Sequence, residues 1–118
     1  MNMPLVKVET SAACDAAAKE KVVKALSRIC AEETGKPERY VAVVLENDAV
    51  ISFGGELCPG AWVEVKGIGG LGGKVNQKLS QAICSLLEKE LKVSPSNIYI
   101  NFTNVAASDW GCNGTTFG

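Results

Sequence analysis

The sequence predicts an α/β fold in which two successive β-α-β units form one four-stranded mixed sheet with both helices on one face. Three observations carry this expectation. Apolar and polar residues alternate in residues 4–9 and 61–66, as in strands with one buried face. Apolar residues recur at helical spacing in the stretches that begin at Asp15 and near Lys74, and a breaker follows each. The second half also repeats the first. Val6-Lys7-Val8-Glu9 answers to Val63-Glu64-Val65-Lys66 at an offset of 57, and Lys36-Pro37-Glu38-Arg39-Tyr40-Val41 to Ser94-Pro95-Ser96-Asn97-Ile98-Tyr99 at 58.

The first strand is expected over residues 4–9. A helix from Asp15 to Thr34 places Val22, Leu26, Ile29 and Cys30 on one stripe, and Gly35 followed by Pro37 ends it. Tyr40-Val41-Ala42-Val43-Val44-Leu45 is a nearly continuous apolar run, which predicts a strand buried on both faces. A short strand from Ala49 to Phe53 ends at Gly54-Gly55. In the second half, residues 61–66 form a strand and a glycine-rich turn follows. A helix from about Lys74 to Leu91 then aligns Val75, Leu79, Ile83, Leu86 and Leu87. Ser94-Pro95 breaks it, and residues 98–102 return as a strand. Right-handed crossovers within each unit leave one sheet face uncovered. The run at 40–45 is too apolar to leave wet, so oligomerisation is expected to cover that face.

A chain of 118 residues suits a single domain over residues 1–118, burying about two-thirds of its unfolded surface. The net charge of −1, with both signs interspersed, leaves no basic block for phosphates and speaks against nucleic acid as a partner. No apolar run reaches the roughly 18 residues that cross a bilayer, so no membrane partner is expected. Residues 1–9 alternate apolar and polar, unlike a signal peptide. Synthesis in the cytosol is therefore expected, and an extracellular role requires a non-classical route of secretion. The chain has no histidine, and its five cysteines are widely spaced. Neither a zinc site of the usual kind nor a Ser-His or Cys-His nucleophile is available, and Cys30 and Cys84 read as small core residues on helices.

Gly67-Ile68-Gly69-Gly70-Leu71-Gly72 fits the dinucleotide fingerprint G-x-G-x-x-G between a strand and a helix. The sheet is too short for that fold, Glu88 and Glu90 fall inside a helix, and a tight turn is the favoured reading. Pro4 has more chemical promise. At a strand start an internal proline is an ordinary edge feature. As a free terminus its nitrogen is a secondary amine, and a free α-amino group titrates at about 7.7–8.0. An apolar pocket or a nearby cation lowers that value and leaves a neutral base.

Six segments then point to one family: Met3-Pro4-Leu5-Val6, Gly35-Lys36-Pro37-Glu38-Arg39-Tyr40-Val41, Ser52-Phe53-Gly54-Gly55, Gly67-Ile68-Gly69-Gly70, Asn97-Ile98-Tyr99-Ile100-Asn101-Phe102 and Trp110-Gly111-Cys112-Asn113-Gly114-Thr115-Thr116-Phe117. In order and spacing the chain from Met3 onward resembles the macrophage migration inhibitory factor (MIF) family of the tautomerase superfamily. The resemblance implies the tautomerase fold, a homotrimer whose three sheets enclose a barrel, and active sites at subunit boundaries. It implies a cofactor-independent tautomerase, an isomerase acting on a small aromatic α-keto acid or enol such as phenylpyruvate or dopachrome. Pro4 would be the catalytic base. Lys36 would hold the substrate carboxylate, the Ile68 backbone would add a hydrogen bond, Tyr99 and Asn101 would come from the neighbouring subunit, and Phe117 would wall the pocket.

Each residue also has a plainer reading. Lys36 suits a cation at a helix C-terminus, and Asn101 suits a polar residue on a strand edge. In the chain as written Pro4 follows Met3, and an amide nitrogen has no basic lone pair. Residues 1–3 are accordingly expected to be removed or non-native, the alternative being a catalytically silent copy. Where family members carry C-x-x-C this chain has Gly60 and Val63, so no thiol oxidoreductase role is carried over. An aromatic of the family pattern is replaced by Cys112, which opens a pocket wall that Trp110 can partly refill from the same side of a strand. Two further functions stay open: a cytokine-like ligand for a cell-surface receptor, and a trimer that keeps only the fold.

Overall fold

Two parallel strand pairs are joined back to back. The structure, a computed structural model, describes residues 4–118, and the expected loss of residues 1–3 lies outside the described residues. Strand β1 (Leu5–Thr10) is followed by helix α1 (Ala16–Thr34) and β2 (Ala42–Glu46); β5 (Ala61–Gly67) is followed by α2 (Gly73–Leu91) and β6 (Ile98–Asn104). Strands β1 and β2 run parallel, as do β5 and β6, while β1 and β5 pair antiparallel from Leu5↔Lys66 to Thr10↔Ala61. The order β2-β1-β5-β6 is the expected four-stranded mixed sheet. Two small hairpins complete the described elements, β3 (Ser52–Phe53) with β4 (Glu56–Leu57) and β7 (Gly111–Cys112) with β8 (Thr115–Thr116).

Alternation along the strands decides which face meets the helices. Val6, Val8 and Thr10 of β1 and Ala61, Val63 and Val65 of β5 are buried, against Val22, Leu26 and Cys30 of α1 and Leu79, Ile83, Leu87 and Leu91 of α2. Each fully buried aliphatic side chain of this set contributes about 1.5–3 kcal/mol. Thr10 is the one polar member of the core among the described residues; its hydroxyl donates to Gly60 O at 2.7 Å and accepts from Ala12 N–H at 3.1 Å. Asp15 caps α1 by accepting from Ala18 N–H at 2.8 Å, and Gly35 closes it in a left-handed conformation, donating to Ala31 O. Lys21 and Glu90 tie the two helices at 3.3 Å.

Three expectations are corrected. The apolar run at 40–45 is not a strand buried on both faces. Tyr40 closes a 3₁₀ turn (Glu38–Tyr40), and β2 is an edge strand with Ala42, Val44 and Glu46 exposed. A continuous apolar run shows that burial is needed but not which strand position supplies it, and within one protomer the open face of β2 stays wet. The strand expected over Ala49–Phe53 shrinks to Ser52–Phe53, because Gly54 and Gly55, both at positive φ, turn it at once onto Glu56–Leu57. Of the two helical cysteines only Cys30 is a core residue; Cys84 is half-buried.

Burial pushes the Cys30 thiol up from the ordinary 9.0 to about 11. The thiolate that forms in the unfolded chain above pH 9.0 is resisted in the fold, so the unfolded state holds fewer protons between these two values. Stability should therefore be unaffected by this group below pH 9.0 and fall as pH rises to about 11. Denaturant unfolding of the wild type and Cys30→Ala across that range checks it: the wild type should lose stability relative to the variant on the alkaline side.

Candidate active site

The antiparallel β1–β5 pairing collects chemistry at one end of the sheet. Leu5 faces Lys66, so Pro4, the preceding residue, comes level with the end of β5 at Gly67. Pro4 is buried, and its carbonyl accepts from Ala42 N–H at 3.0 Å, which fixes the entry of β1 beside β2. Ile68 follows at the start of the glycine-rich turn.

That turn is held by side chains. Asn104 clamps Leu71 twice, accepting from its N–H at 3.3 Å and donating to its carbonyl at 3.1 Å, and Asn76 accepts from Gly72 N–H at 2.8 Å. Two of the turn's backbone donors, those of Leu71 and Gly72, are thus engaged by side chains.

Lys36 reaches the same turn. It follows the left-handed Gly35, its N–H lies 3.3 Å from Thr34 Oγ1, and its ammonium and Cε rest against Gly70. It does not serve the C-terminal carbonyls of α1, where Thr34 Oγ1 bonds Cys30 O and Gly35 N–H bonds Ala31 O. Phe117 donates its N–H to Trp110 O at 3.1 Å, and Trp110 lies against Leu5 in a groove of about 360 Å³. Pro4, Lys36, Ile68 and Phe117 therefore belong to the same end of the sheet.

Tyr99 and Asn101 do not. They pair with Trp62 and Glu64, four and two residues along β5 from Lys66. That is a displacement of roughly 13 and 7 Å along the strand, with β6 roughly 9.5 Å from β1 across the sheet. Both lie on the face opposite the helices. Tyr99 is 61% exposed, braced edge-on by Phe53 with ring centroids 4.9 Å apart, and Asn101 Oδ1 accepts from Thr103 Oγ1 at 2.8 Å. One protomer does not assemble all the candidate residues at one point.

Several neighbours were not singled out from the sequence. Lys66, Val105 and Asp109 line the groove with Leu5 and Trp110. The antiparallel register was the missing signal, since the two halves read as a repeat hide the fact that Lys66 faces Leu5. Cys112 is exposed in the β7–β8 hairpin, and Trp110, extended just before it, lines the groove with Leu5. On the open face Trp62 Nε1–H donates to Glu64 at 2.9 Å, and Lys66 lies 3.6 Å from the same carboxylate. Among the described residues no group of three or more His, Cys, Asp or Glu side chains is placed to hold a metal, and no helix is long and apolar enough to cross a membrane.

Comparison with known proteins agrees with this architecture. The family model described as "Macrophage migration inhibitory factor (MIF)" matches residues 3–118. The macrophage migration inhibitory factor of Rattus norvegicus is 36% identical over 115 residues, 98% of this chain and 99% of the relative. A homolog from Brugia malayi is 38% identical over 96 residues, 81% of this chain and 84% of that one. Among solved structures, the MIF-like protein of Entamoeba histolytica superposes with a TM-score of 0.94 at 33% identity, covering 98% of this chain and 99% of its own. The homologue from Prochlorococcus marinus gives 0.92 at 38% identity, covering 97% and 99%. The chain belongs to the macrophage migration inhibitory factor family.

The hydrogen bond from the Trp62 indole is the main cause that holds the Glu64 carboxyl below its ordinary value; burial opposes it, and the Lys66 and Lys7 cations add smaller lowering effects. Trp62→Phe removes the leading cause. The Glu64 side-chain carbon, followed by NMR through an acid titration, should then titrate at higher pH than in the wild type.

Proposed function

We propose that the protein is a cofactor-independent keto–enol tautomerase in which Pro4, as a free amino terminus, is the catalytic base. The observation that carries this reading is the placement of Pro4 at the mouth of the sheet, level with the turn against which the Lys36 ammonium is seated. A neutral secondary amine there accepts a proton from the carbon next to the keto group of an α-keto acid such as phenylpyruvate. The C–H electron pair becomes the enol double bond, the carbonyl π pair moves to oxygen, and the ammonium of Pro4 returns its proton to that oxygen. No external co-reactant is consumed.

The other residues act on charge and position. Lys36 pairs with the substrate carboxylate, and its positive charge disfavours protonation of the nearby amine. The Ile68 backbone adds a hydrogen bond, and Phe117 with the Leu5–Trp110 groove walls the apolar part of the substrate. Tyr99 and Asn101 of one copy complete the site of another in a homotrimer, which also covers the exposed face bearing Val44, Trp62 and Tyr99. Their distance from Pro4 within one chain supports this arrangement.

A second reading rests on the name its relatives carry. It is a signalling ligand whose trimer surface binds a cell-surface receptor, with turnover incidental.

The deciding experiment is phenylpyruvate tautomerisation by protein shown by intact mass to begin at Pro4, beside the form that begins at Met1. Activity is expected only in the first, because the Met3–Pro4 peptide bond removes the basic lone pair. Pro4→Gly should lower turnover by about 10²-fold or more while leaving the oligomer intact. Inactivity of both parent forms with an intact oligomer overturns the enzymatic reading and leaves the ligand reading, or a trimer that keeps only the fold.

A further inference from the structure

The glycine-rich turn contains two adjacent glycines of nearly the same φ, Gly69 at +75° and Gly70 at +83°. Their surroundings differ. A Cβ built on Gly69 would meet nothing within 4 Å, whereas one on Gly70 would stand 2.9 Å from Lys36 Cε and 3.0 Å from Lys36 Nζ. Real Cβ atoms do not approach a neighbour that closely, so a side chain at position 70 and the present position of the ammonium exclude each other. Among the described residues the ion pairs do not include Lys36, so no carboxylate holds its far end in place. Its backbone is anchored at Thr34, and packing against the bare backbone of Gly70 defines where its charge lies.

We propose that Gly70 is a positioning residue for Lys36: the missing side chain is the seat of the ammonium, and it sets where an anionic group is held beside Ile68. The consequence for turnover rests on the tautomerase reading above, while the seat itself does not. Because the obstructed atoms are the far end of a flexible side chain, a methyl group at position 70 should displace the charge rather than the fold. A binding group misplaced by on the order of 1 Å can cost about 10²-fold. A non-glycine residue is strained by positive φ at position 69 too, which makes Gly69→Ala the control for that strain.

The test compares Gly69→Ala, Gly70→Ala, Lys36→Ala and the Lys36→Ala/Gly70→Ala double variant, in whichever N-terminal form turns over phenylpyruvate. Gly70→Ala should lower kcat/KM by about 10- to 100-fold, mostly through KM, and move the acidic limb of its pH profile upward as the cation leaves the amine. Gly69→Ala should stay within about threefold of the parent, and adding Gly70→Ala to Lys36→Ala should change little, within about twofold. A second readout needs no activity: the Lys36 Cε resonance in [13C]lysine-labelled full-length chain should shift in Gly70→Ala and not in Gly69→Ala.

Equal kinetic losses in the two alanine variants overturn the proposal, as does a further loss from Gly70→Ala when Lys36 is absent. So does a Lys36 resonance that moves alike in both or in neither. If the parent does not turn over phenylpyruvate, the tautomerase reading fails, and the resonance alone decides the seat.

Discussion

Everything in this fold depends on the antiparallel contact between β1 and β5. Each β-α-β unit is a parallel strand pair, and the inner edge of each pair is satisfied by the other unit, which leaves β2 and β6 at the outside. The register from Leu5↔Lys66 to Thr10↔Ala61 aligns the buried residues of both strands under the two helices and builds one core from two repeats. A slip of one residue would turn Val6 and Val8 toward the open face and Lys7 toward Leu26 and Leu79. The same register brings the start of the first unit level with the glycine-rich turn of the second, so packing and site geometry have one cause.

Much of this was legible in the sequence. Asp15 and Gly35 bracket α1 because their side-chain and backbone preferences act locally, and the helix ends where they say. The repeat at offsets of 57 and 58 matches the two parallel strand pairs. Sheet order was less legible, because Val41-Ala42-Val43-Val44-Leu45 needs burial without saying whether a neighbouring strand or another copy supplies it. Pro4, Lys36, Ile68 and Phe117 stand out by motif and do lie toward one end. Lys66 and Asp109 do not stand out, since only the pairing register and a 3₁₀ turn bring them beside Leu5. Tyr99 and Asn101 were readable as neighbours on one face, a property of period-two alternation; their distance from Pro4 needed the strand order.

Charge in this chain is arranged by exclusion as much as by pairing. Trp62, Lys66 and Lys7 fix Glu64 as an anion on the open face, and Lys66 is committed to it at 3.6 Å. Lys36 lies beside a turn in which Asn104 and Asn76 engage the Leu71 and Gly72 N–H groups. The sequence has no histidine, the side chain whose ordinary titration falls near neutral pH, and a free α-amino group titrates closest to that range.

Gly60 keeps a volume of space free for an aromatic ring. A Cβ at this position would stand 2.9 Å from the Phe53 ring and 3.2 Å from the carbonyl oxygen of Asn97. The Phe53 ring is the edge-on support of Tyr99. A side chain at position 60 could enter only by pushing that ring and Ile51 away. Such a side chain and the edge-on brace of Tyr99 therefore compete for one volume of space. The chain has settled that competition for the aromatic, so even a methyl group grafted at position 60 would leave a looser tyrosine.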